Sequence, residues 1–309
     1  MVGIIIVNYK SVVQTVHYVK NELSKIIAPH RIVVVNVACS DQTNNFLTKQ
    51  LKACFVPNVD EVIDTEAEIF IIAEPSNVGY AKGNNIGAAF LKKHFEINHY
   101  LITNNDIEFI DIDVVEQLIL KIESLPNAGA IGPKIVGRDG RDQSPAKKMG
   151  IWQMLIFPYM LYPLVYLFKK RGFFTDVLQQ ANEGIYYRLS GAFFLVKRKV
   201  FDAVNGFDSN TFLYAEEMIF SERMLKEGYF CYFFPFVSII HEQGQTVNEH
   251  LNGNEIGRQS LKSKLYYYRR YRQVCLFSIC TAYMVSEIFN ITYVPAIQFC
   301  RNVYKKIKY

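Results

Sequence analysis

Closely spaced cysteines and a large excess of one charge are both missing from this sequence. Its six Cys residues form no Cys-x-x-Cys pair and no Cys/His cluster with zinc-ligand spacing, which excludes the common structural zinc sites and suits a reducing compartment. Lys and Arg exceed Asp and Glu by only 34 to 29, which gives a formal net charge of +5. This excess is too small to indicate a nucleic-acid partner, although it mildly favours phosphates and anionic lipid.

A secretion signal and an aromatic nucleic-acid groove are lacking too. The first apolar run, Val2 to Val7, has no basic segment before it and is too short for a signal peptide, so we expect the cytoplasm. The 20 Tyr and 23 Phe lie mostly in apolar runs rather than between Lys and Arg. They are therefore expected in a core or at a membrane surface.

The first half of the chain alternates β-branched runs with helical periods. Strands are predicted at Gly3 to Asn8, Arg31 to Val35, Ile69 to Ala73 and Tyr100 to Thr103, and an amphipathic helix at Val12 to Ile26. This order is typical of an α/β fold with a mainly parallel sheet flanked by helices. Ligands bind such sheets at the carboxyl ends of the strands, so the segments that follow these runs are candidates for a binding site.

The second half repeats the alternation after an interruption. Gly132 to Lys148 is rich in Gly, Pro and charge and is predicted to break the regular pattern. Helices are predicted at Asp111 to Leu125 and Ala215 to Glu227, and strands at Ala192 to Val196 and Tyr229 to Phe234.

Two long apolar segments indicate contact with a membrane. Ile151 to Phe168 has no charged residue and is flanked by basic residues, but Pro158 and Pro163 would break a spanning helix. Val274 to Cys300 is apolar apart from one Glu and is interrupted by Pro295. Both segments fit the headgroup region of a bilayer. A hydrophobic lid packed on its own domain remains the alternative for the first segment.

A Gly-rich segment from Asn77 to Asn85 follows the third predicted strand. Its glycines, Gly79 and Gly83, let the backbone approach a ligand, and its amides supply donors and acceptors. The segment has neither the G-x-G-x-x-G spacing of a dinucleotide site nor the G-K-[ST] ending of a P-loop, so those two enzyme classes lose support. An ordinary turn is the structural alternative.

Carboxylates and a histidine follow other strands. Asp106, after Asn104 and Asn105, is a candidate ligand for a divalent cation, and His241, after the apolar run Phe236 to Ile240, could supply a nitrogen ligand. A turn Asp and a structural His are the alternatives.

Glu216 and Glu217 open a predicted helix, where the helix dipole stabilises carboxylates. A catalytic role requires that one of them faces a cleft and accepts a proton from a sugar hydroxyl.

The order of these segments is more specific than any one of them. The chain resembles the inverting glycosyltransferases of family 2, which have the GT-A fold, and especially the rhamnosyltransferase-like members. The resemblance runs from Ile4 to about Thr246, through the segments IIIVNYKS, VVVNVACSDQT, SNVGYAKGNNIGA, YLITNNDIEF, IGPKI, LSGAFFLVKRKVFDAVNGFD, FLYAEEMIF and IIHEQGQT.

The resemblance implies roles for individual residues. Glu217 falls where the family has its catalytic base, with Glu216 beside it, and Asp106 and His241 correspond to ligands of Mg²⁺ or Mn²⁺. The nucleotide-sugar site is expected to involve a larger set: Val7, Tyr9, Asn36, Asp41, Asn77, Gly79, Lys82, Asn84, Asn104 and Asn105.

The implied function is transfer of a sugar, with rhamnose favoured by family likeness, from a dTDP- or UDP-sugar to a lipid-linked or polysaccharide acceptor in cell-surface glycan synthesis. Asn36 stands where the family commonly has an Asp that hydrogen-bonds the pyrimidine, and Glu217 is one methylene longer than the usual Asp. Both departures favour an alternative, a non-catalytic membrane-associated scaffold or sugar-binding protein. A nucleotidyltransferase has less support, since no Gly-rich basic loop follows the first strand.

The expected organisation is a glycosyltransferase domain over residues 1–250, with an apolar acceptor-side insertion at about 149–182, and a helical, membrane-associated extension over 251–309. The expected partners are the nucleotide-sugar donor, the carbohydrate acceptor and the inner face of the cell membrane. A homodimer is left open, and nucleic acid is not expected.

Overall fold

The computed structural model describes residues 1–57, 64–161, 175–242 and 253–307. The strands are β1 (Val2–Tyr9), β2 (His30–Val37), β3 (Cys54–Val56), β4 (Ile69–Glu74), β5 (His99–Thr103), β6 (Ile107–Phe109), β7 (Ala128–Val136), β8 (Gly184–Tyr186), β9 (Phe193–Lys197) and β10 (Phe230–His241). The helices are α1 (Val12–Asn21), α2 (Asp41–Leu51), α3 (Gly79–His94), α4 (Val114–Glu123), α5 (Phe157–Met160), α6 (Arg198–Ala203), α7 (Glu216–Lys226), α8 (Gly253–Arg270) and α9 (Leu276–Ile307).

The strands form one mixed sheet in the order β3-β4-β2-β1-β5-β9-β7-β10-β6, with β8 paired to β10. The first five strands pair in parallel, β9 runs antiparallel between β5 and β7, and β7 and β10 are parallel. The predicted α/β fold is confirmed, and the four predicted strands of the first half are correct to within two residues at each end.

Two layers of helices cover the sheet because the strands alternate their buried side chains between its faces. In β1, Ile4 and Ile6 pack on the face covered by α1, α2 and α4, whereas Ile5 packs on the face covered by α3 and α7. This period of two places an apolar side chain in a core at nearly every position of a central strand. Each fully buried side chain of this size contributes about 1.5–3 kcal/mol, so the sheet provides a rigid support for the loops at its edge.

Two local features were not predicted correctly. The segment after the second strand was considered only as a candidate binding segment, and the helix α2, which begins at Asp41, was not predicted. It begins there because Ser40 and Thr43 cap each other: the Ser40 hydroxyl accepts from the Thr43 N–H, and the Thr43 hydroxyl accepts from the Ser40 N–H.

Gly132 to Val136, predicted to interrupt the pattern, is the second half of β7. Pro133 is accommodated because the pairing of β7 with β10 becomes irregular just beyond it.

The chain divides into two compact units. One comprises Met1–Lys147 and Val177–Ser263 and contains the whole sheet, and the other comprises Lys148–Asp176 and Lys264–Tyr309. In the second unit, the described part of the apolar segment from Ile151 forms a π-helical turn at Trp152–Ile156 followed by α5, and both pack against α9. Residues 162–174 of that segment lie outside the described residues, as do residues 243–252. The predicted domain boundaries stay predictions.

Within the described residues, no helix combines the length and the hydropathy that a bilayer span requires.

Candidate functional site

The candidate site lies where β1, β2 and β5 end. These strands are parallel and β1 is the middle one, so their carboxyl ends meet at one edge of the sheet. Asn8 in β1 lies opposite Asn36 in β2, and the segment Asn104–Asp106 leaves β5 at the same edge. The chain then enters β6, whose Ile107 pairs with His241 of β10. This pairing brings His241 to the turn that carries Asp106.

Asp106 and His241 are in contact. The Nε2 atom of His241 lies 3.2 Å from Asp106 Oδ1, and both side chains are largely buried. The Asn104 amide donates to the same Nε2 over 3.2 Å, while Nδ1 donates to Gln143 Oε1 over 2.5 Å. The ring proton is therefore assigned to Nδ1, and the Nε2 lone pair points toward the carboxylate. Gln143 lies in the segment that was predicted to be irregular, and it was not identified from the sequence.

This arrangement fits a divalent cation. Asp106 Oδ1 is buried without a hydrogen-bond partner, and a lone pair beside a carboxylate oxygen is unfavourable unless a proton or a metal cation lies between them. A ligating His commonly donates its other ring N–H to an oxygen acceptor, which is the relation between His241 and Gln143. Among the described residues, no group of three or more His, Cys, Asp or Glu side chains forms a complete metal site. Oxygen atoms of a bound ligand and water would have to supply the remaining ligands.

A chain of amide and hydroxyl side chains crosses the sheet edge beside this pair. We call it the amide network: Asn8, Ser11, Thr15, Asn36, Asn44 and Asn105. Asn8 Nδ2 donates to Asn36 Oδ1 over 2.6 Å, and Asn36 Nδ2 donates to Asn44 Oδ1 over 2.7 Å. On the other side, Asn8 Oδ1 accepts from Thr15, whose hydroxyl also accepts from Asn105 Nδ2. The network therefore connects the end of β2 with the turn that carries Asp106.

The network gives Asn36 a structural role. Asn36 was predicted to contact a nucleobase because it stands where the family commonly has an Asp. In the structure its amide oxygen accepts from Asn8, and its amide nitrogen donates to Asn44. Asn36 is also almost completely buried. Its contacts are those of a residue that orders the sheet edge, and contact with a base stays a prediction.

The Gly-rich segment forms a tight turn at the N-terminus of α3. Gly79 has φ +79°, Asn77 Oδ1 accepts from the Gly79 N–H, and the Tyr80 N–H donates to the Phe212 carbonyl. A Cβ atom on Gly79 would lie 2.4 Å from that carbonyl oxygen. Gly79 is therefore required both by its left-handed backbone and by the close approach of the loop before α7.

Replacing Gly79 with Ala is expected to lower the free energy of unfolding by about 2–5 kcal/mol, from left-handed strain plus a steric clash with Phe212. Gly228→Ala is a matched control, because Gly228 has the same φ of +79° but nothing within 4 Å of its added Cβ. We expect this control to lose only about 1–2 kcal/mol. Urea unfolding of both variants measures the difference, and equal losses would show that the contact with Phe212 carries no energy.

The loop before α7 has a strained backbone. Tyr214 and Ala215 have φ values of +65° and +69°, although neither is glycine. Two successive left-handed non-glycine residues cost about 1–3 kcal/mol each, and such strain is concentrated at functional sites. This turn directs Glu216 and Glu217 from the start of α7.

The two glutamates have different surroundings. Glu217 Oε1 lies 3.3 Å from Arg188 Nη1, and its side chain is 19% exposed. Glu216 is buried, and burial, with the Glu217 charge as a second cause, raises its pKa well above the usual range. The raised pKa favours the protonated form of Glu216, whereas Glu217 is the residue of the pair that an arginine orients.

A partly buried tyrosine, Tyr80, lies near the site. Tyr80 donates its hydroxyl hydrogen to the Gly191 carbonyl over 2.7 Å. Desolvation raises its pKa, and the charges of Glu216, Glu217 and Asp106 raise it further. The phenol therefore experiences the charge of three carboxylates that come from widely separated parts of the chain. Tyr80 lies in the Gly-rich motif, but its role was not predicted.

The pKa of Glu216 predicts how stability depends on pH. Its folded-state pKa exceeds the unfolded-state value, so the folded protein loses stability as the pH rises from about 4.3 toward the raised pKa. Glu216→Gln removes this loss. Its melting temperature relative to the wild type should therefore increase between pH 5 and pH 8, by about 2 °C or more. Glu96→Gln, at an exposed position, is the control and should show no such trend.

The other predicted site residues are dispersed around this edge. Val7 packs against Gly83, and Tyr9 ends β1. Asn84 is buried, with its amide donating to the Tyr80 carbonyl and its oxygen left without a hydrogen-bond partner. Asp41 and Lys82 are exposed at the first turns of α2 and α3.

Known proteins resemble this chain in sequence. No protein-family model matches it. An N-acetylglucosaminyl-diphospho-decaprenol L-rhamnosyltransferase of Mycobacterium tuberculosis is 27% identical over 149 residues, which is 47% of this chain and 47% of that protein. The low-salt glycan biosynthesis hexosyltransferase Agl10 of Haloferax volcanii is 24% identical over 229 residues, 73% of this chain and 62% of that protein. The matches thus span about half to two thirds of the relatives.

Solved structures share the fold. The mannosyltransferase PcManGT of Pyrobaculum calidifontis, in complex with GDP-Man and Mn²⁺, superposes with a TM-score of 0.50 at 14% identity over 100% of this chain and 80% of its own. GalNAc-T7 with UDP, GalNAc and Mn²⁺ gives a TM-score of 0.53 at 13% identity over 88% of this chain and 49% of its own. At such identities the likeness shows the fold alone. In sequence and in fold, the chain therefore resembles the rhamnosyltransferase-like glycosyltransferases of family 2 with the GT-A fold, as its motifs predicted.

Proposed function

We propose that the protein is an inverting glycosyltransferase that moves one sugar from a dTDP- or UDP-sugar to a lipid-linked or polysaccharide acceptor. The observation that carries the proposal is the buried Asp106–His241 pair at the carboxyl edge of the sheet, with an unsatisfied carboxylate oxygen. The electrostatic influence of Glu216, Glu217 and Asp106 on the same tyrosine, Tyr80, supports it. A diphosphate site and a general base would then lie in one cleft.

In the proposed reaction, Glu217 is the general base. It accepts the proton of the acceptor hydroxyl as that oxygen attacks the anomeric carbon, while the bond from this carbon to the diphosphate oxygen breaks. A single displacement of this kind inverts the anomeric centre. Arg188 holds one carboxylate oxygen of Glu217 and leaves the other, which is buried and without a hydrogen-bond partner, available for the proton.

Asp106 and His241 would hold the cation, the His241 Nε2 lone pair would bind it in place of the Asn104 amide, and Gln143 would fix the tautomer of the ring. A bound Mg²⁺ or Mn²⁺ supplies charge neutralisation for the departing diphosphate. Burial raises the pKa of Glu216, which favours the protonated form beside the base and so disfavours a second negative charge in the cleft. This division of roles places the catalytic function on Glu217 and a positioning function on Glu216.

The acceptor and the location are proposed from the relatives. The Mycobacterium tuberculosis protein is named for a diphospho-decaprenol acceptor, and the Haloferax protein for glycan biosynthesis. We therefore propose a lipid-linked saccharide as acceptor, rhamnose as the first sugar to test, and action at the inner face of the cell membrane.

A second candidate is a non-catalytic sugar-binding or scaffold protein with the same fold. The observation that favours it is that the oxygen and the nitrogen of the Asn36 amide both hydrogen-bond within the protein. These bonds compete with the contact that was expected between Asn36 and the nucleobase. Titration calorimetry with dTDP-rhamnose, UDP-glucose, UDP-galactose, UDP-N-acetylglucosamine and GDP-mannose, each with Mn²⁺ and with a chelator, tests the donor site. Binding of one donor that requires Mn²⁺, followed by its transfer to an acceptor with inversion, supports the enzyme. Binding without turnover supports the scaffold.

A further inference from the structure

The helix α9 buries small side chains and exposes large apolar ones, which is the opposite of an ordinary surface helix. Its buried side chains in the first half include Ser278, Ala282 and Ser286, which are small and spaced by four residues. The large apolar side chains lie on the other side: Phe277, Met284, Ile288 and Ile291 are 73%, 55%, 58% and 72% exposed. We call these four residues the outer face of α9.

The outer face is continuous. At about 100° per residue its four members fall within an arc of about 60°, and the buried small residues fall on the opposite side. Leu276 and Tyr283, which are also more than half exposed, widen the apolar surface on one flank. Single exposed apolar residues are common on proteins, but a contiguous helical stripe of this kind marks an interaction surface.

Charge identifies the partner. The helix is preceded by Arg269, Arg270 and Arg272, of which the first two are exposed. The amino-acid sequence has four more basic residues near and just after the end of α9: Arg301, Lys305, Lys306 and Lys308. Glu287 is the one acidic residue in the sequence from Leu276 to the end. An apolar stripe with basic residues at both ends is the distribution that an anionic bilayer surface attracts, because phosphates meet the bases and acyl chains meet the stripe.

A second copy of the chain fits this surface less well. Whether two α9 helices paired in parallel or in antiparallel, their basic ends would lie against basic ends, and like charges across an interface are repulsive. A bilayer rich in anionic lipid has no such conflict.

We propose that the outer face of α9 lies in the headgroup region of an anionic membrane and holds the protein on that surface. Only the purpose of this membrane binding, which is to bring the cleft to a lipid-linked acceptor, rests on the proposed function. The binding itself requires no nucleotide, no cation and no acceptor.

Co-sedimentation of the full chain with lipid vesicles tests the proposal. The protein should bind vesicles of phosphatidylcholine mixed with phosphatidylglycerol, and bind pure phosphatidylcholine much less, with salt weakening the difference. Replacing three outer-face residues, in the variant F277Q/M284Q/I288Q, should weaken binding by about 100-fold or more. R269Q/R270Q should weaken binding to the anionic vesicles by about tenfold.

A control variant changes side chains of similar exposure elsewhere. Val13, Ile112 and Leu120 are 70%, 73% and 73% exposed on the unit that contains the sheet, and V13Q/I112Q/L120Q should bind vesicles like the wild type. No vesicle binding, or equal binding by the outer-face variant, would overturn the proposal. The proposal would also be overturned if light scattering showed that the wild type is a dimer and that only the outer-face variant is a monomer. Donor titration without vesicles, run on the same variants, reports on the proposed function independently.

Discussion

Replacing Glu217 with Gln is expected to lower the rate of sugar transfer by about 10²- to 10⁴-fold while donor affinity stays nearly unchanged. Gln has the same size and can still accept a hydrogen bond from Arg188, but it cannot take a proton from the acceptor hydroxyl. The rate of transfer to the acceptor and the calorimetric affinity for the donor should therefore separate in this variant.

The control for this prediction is the neighbouring residue. Burial and the Glu217 charge raise the pKa of Glu216, which favours its protonated form, and Gln resembles that form in shape. Glu216→Gln should keep transfer within about tenfold of the wild type, since Glu217, the proposed proton acceptor, is unchanged. If Glu216→Gln abolished transfer and Glu217→Gln did not, the two roles would be reversed.

Asp106→Asn is expected to weaken Mn²⁺-dependent donor binding by about 100-fold or more and to reduce transfer at least as much. Asn keeps the shape of the side chain, but it removes the negative charge that a hard cation requires. Titration of Mn²⁺ alone, followed by electron paramagnetic resonance, measures the cation separately from the donor. Asp113→Asn, at an exposed position at the start of α4, is the matched control.

Gln143→Leu extends the same experiment to the residue behind His241. Losing the acceptor for Nδ1–H should weaken Mn²⁺ by about 10- to 100-fold, which is less than the loss of Asp106 itself. Gln143→Glu keeps an acceptor at this place and should restore most of the affinity.

Cation binding that is unaffected by Asp106→Asn would contradict the proposed site.

The parts of the fold that the sequence predicted are the strands and helices in which apolar residues recur at a regular spacing. β1, β2, β4 and β5 are apolar β-branched runs in a sheet buried on both faces, and α7, which ends at Lys226, is followed by the left-handed Gly228. The short strands β3, β6 and β8 were missed because three residues are too few to show a period. The start of α2 was missed because a Ser–Thr pair, rather than the more familiar Ser–Glu pair, caps it.

For the site, the sequence predicted the segments but not the contacts within them. Asp106 and His241 were assigned from the family resemblance, and the structure places them 3.2 Å apart. Gln143 and Tyr80 carry no signal of their own, because their importance comes from partners that are distant in the chain. Likewise, the difference between Glu216 and Glu217 depends on burial and on Arg188, neither of which adjacent identical residues reveal.

The amide network has one further consequence. Amide and hydroxyl side chains neither gain nor lose protons over the range in which cells live, so the network keeps one pattern of donors and acceptors whether the surrounding solution is mildly acidic or mildly alkaline. An Asp in place of Asn36 would face the Asn44 oxygen and would have to be protonated or to move away from it. The present edge of the sheet thus maintains its shape through acid stress without rearrangement, and any acid sensitivity of the protein should originate at its carboxylates and histidines.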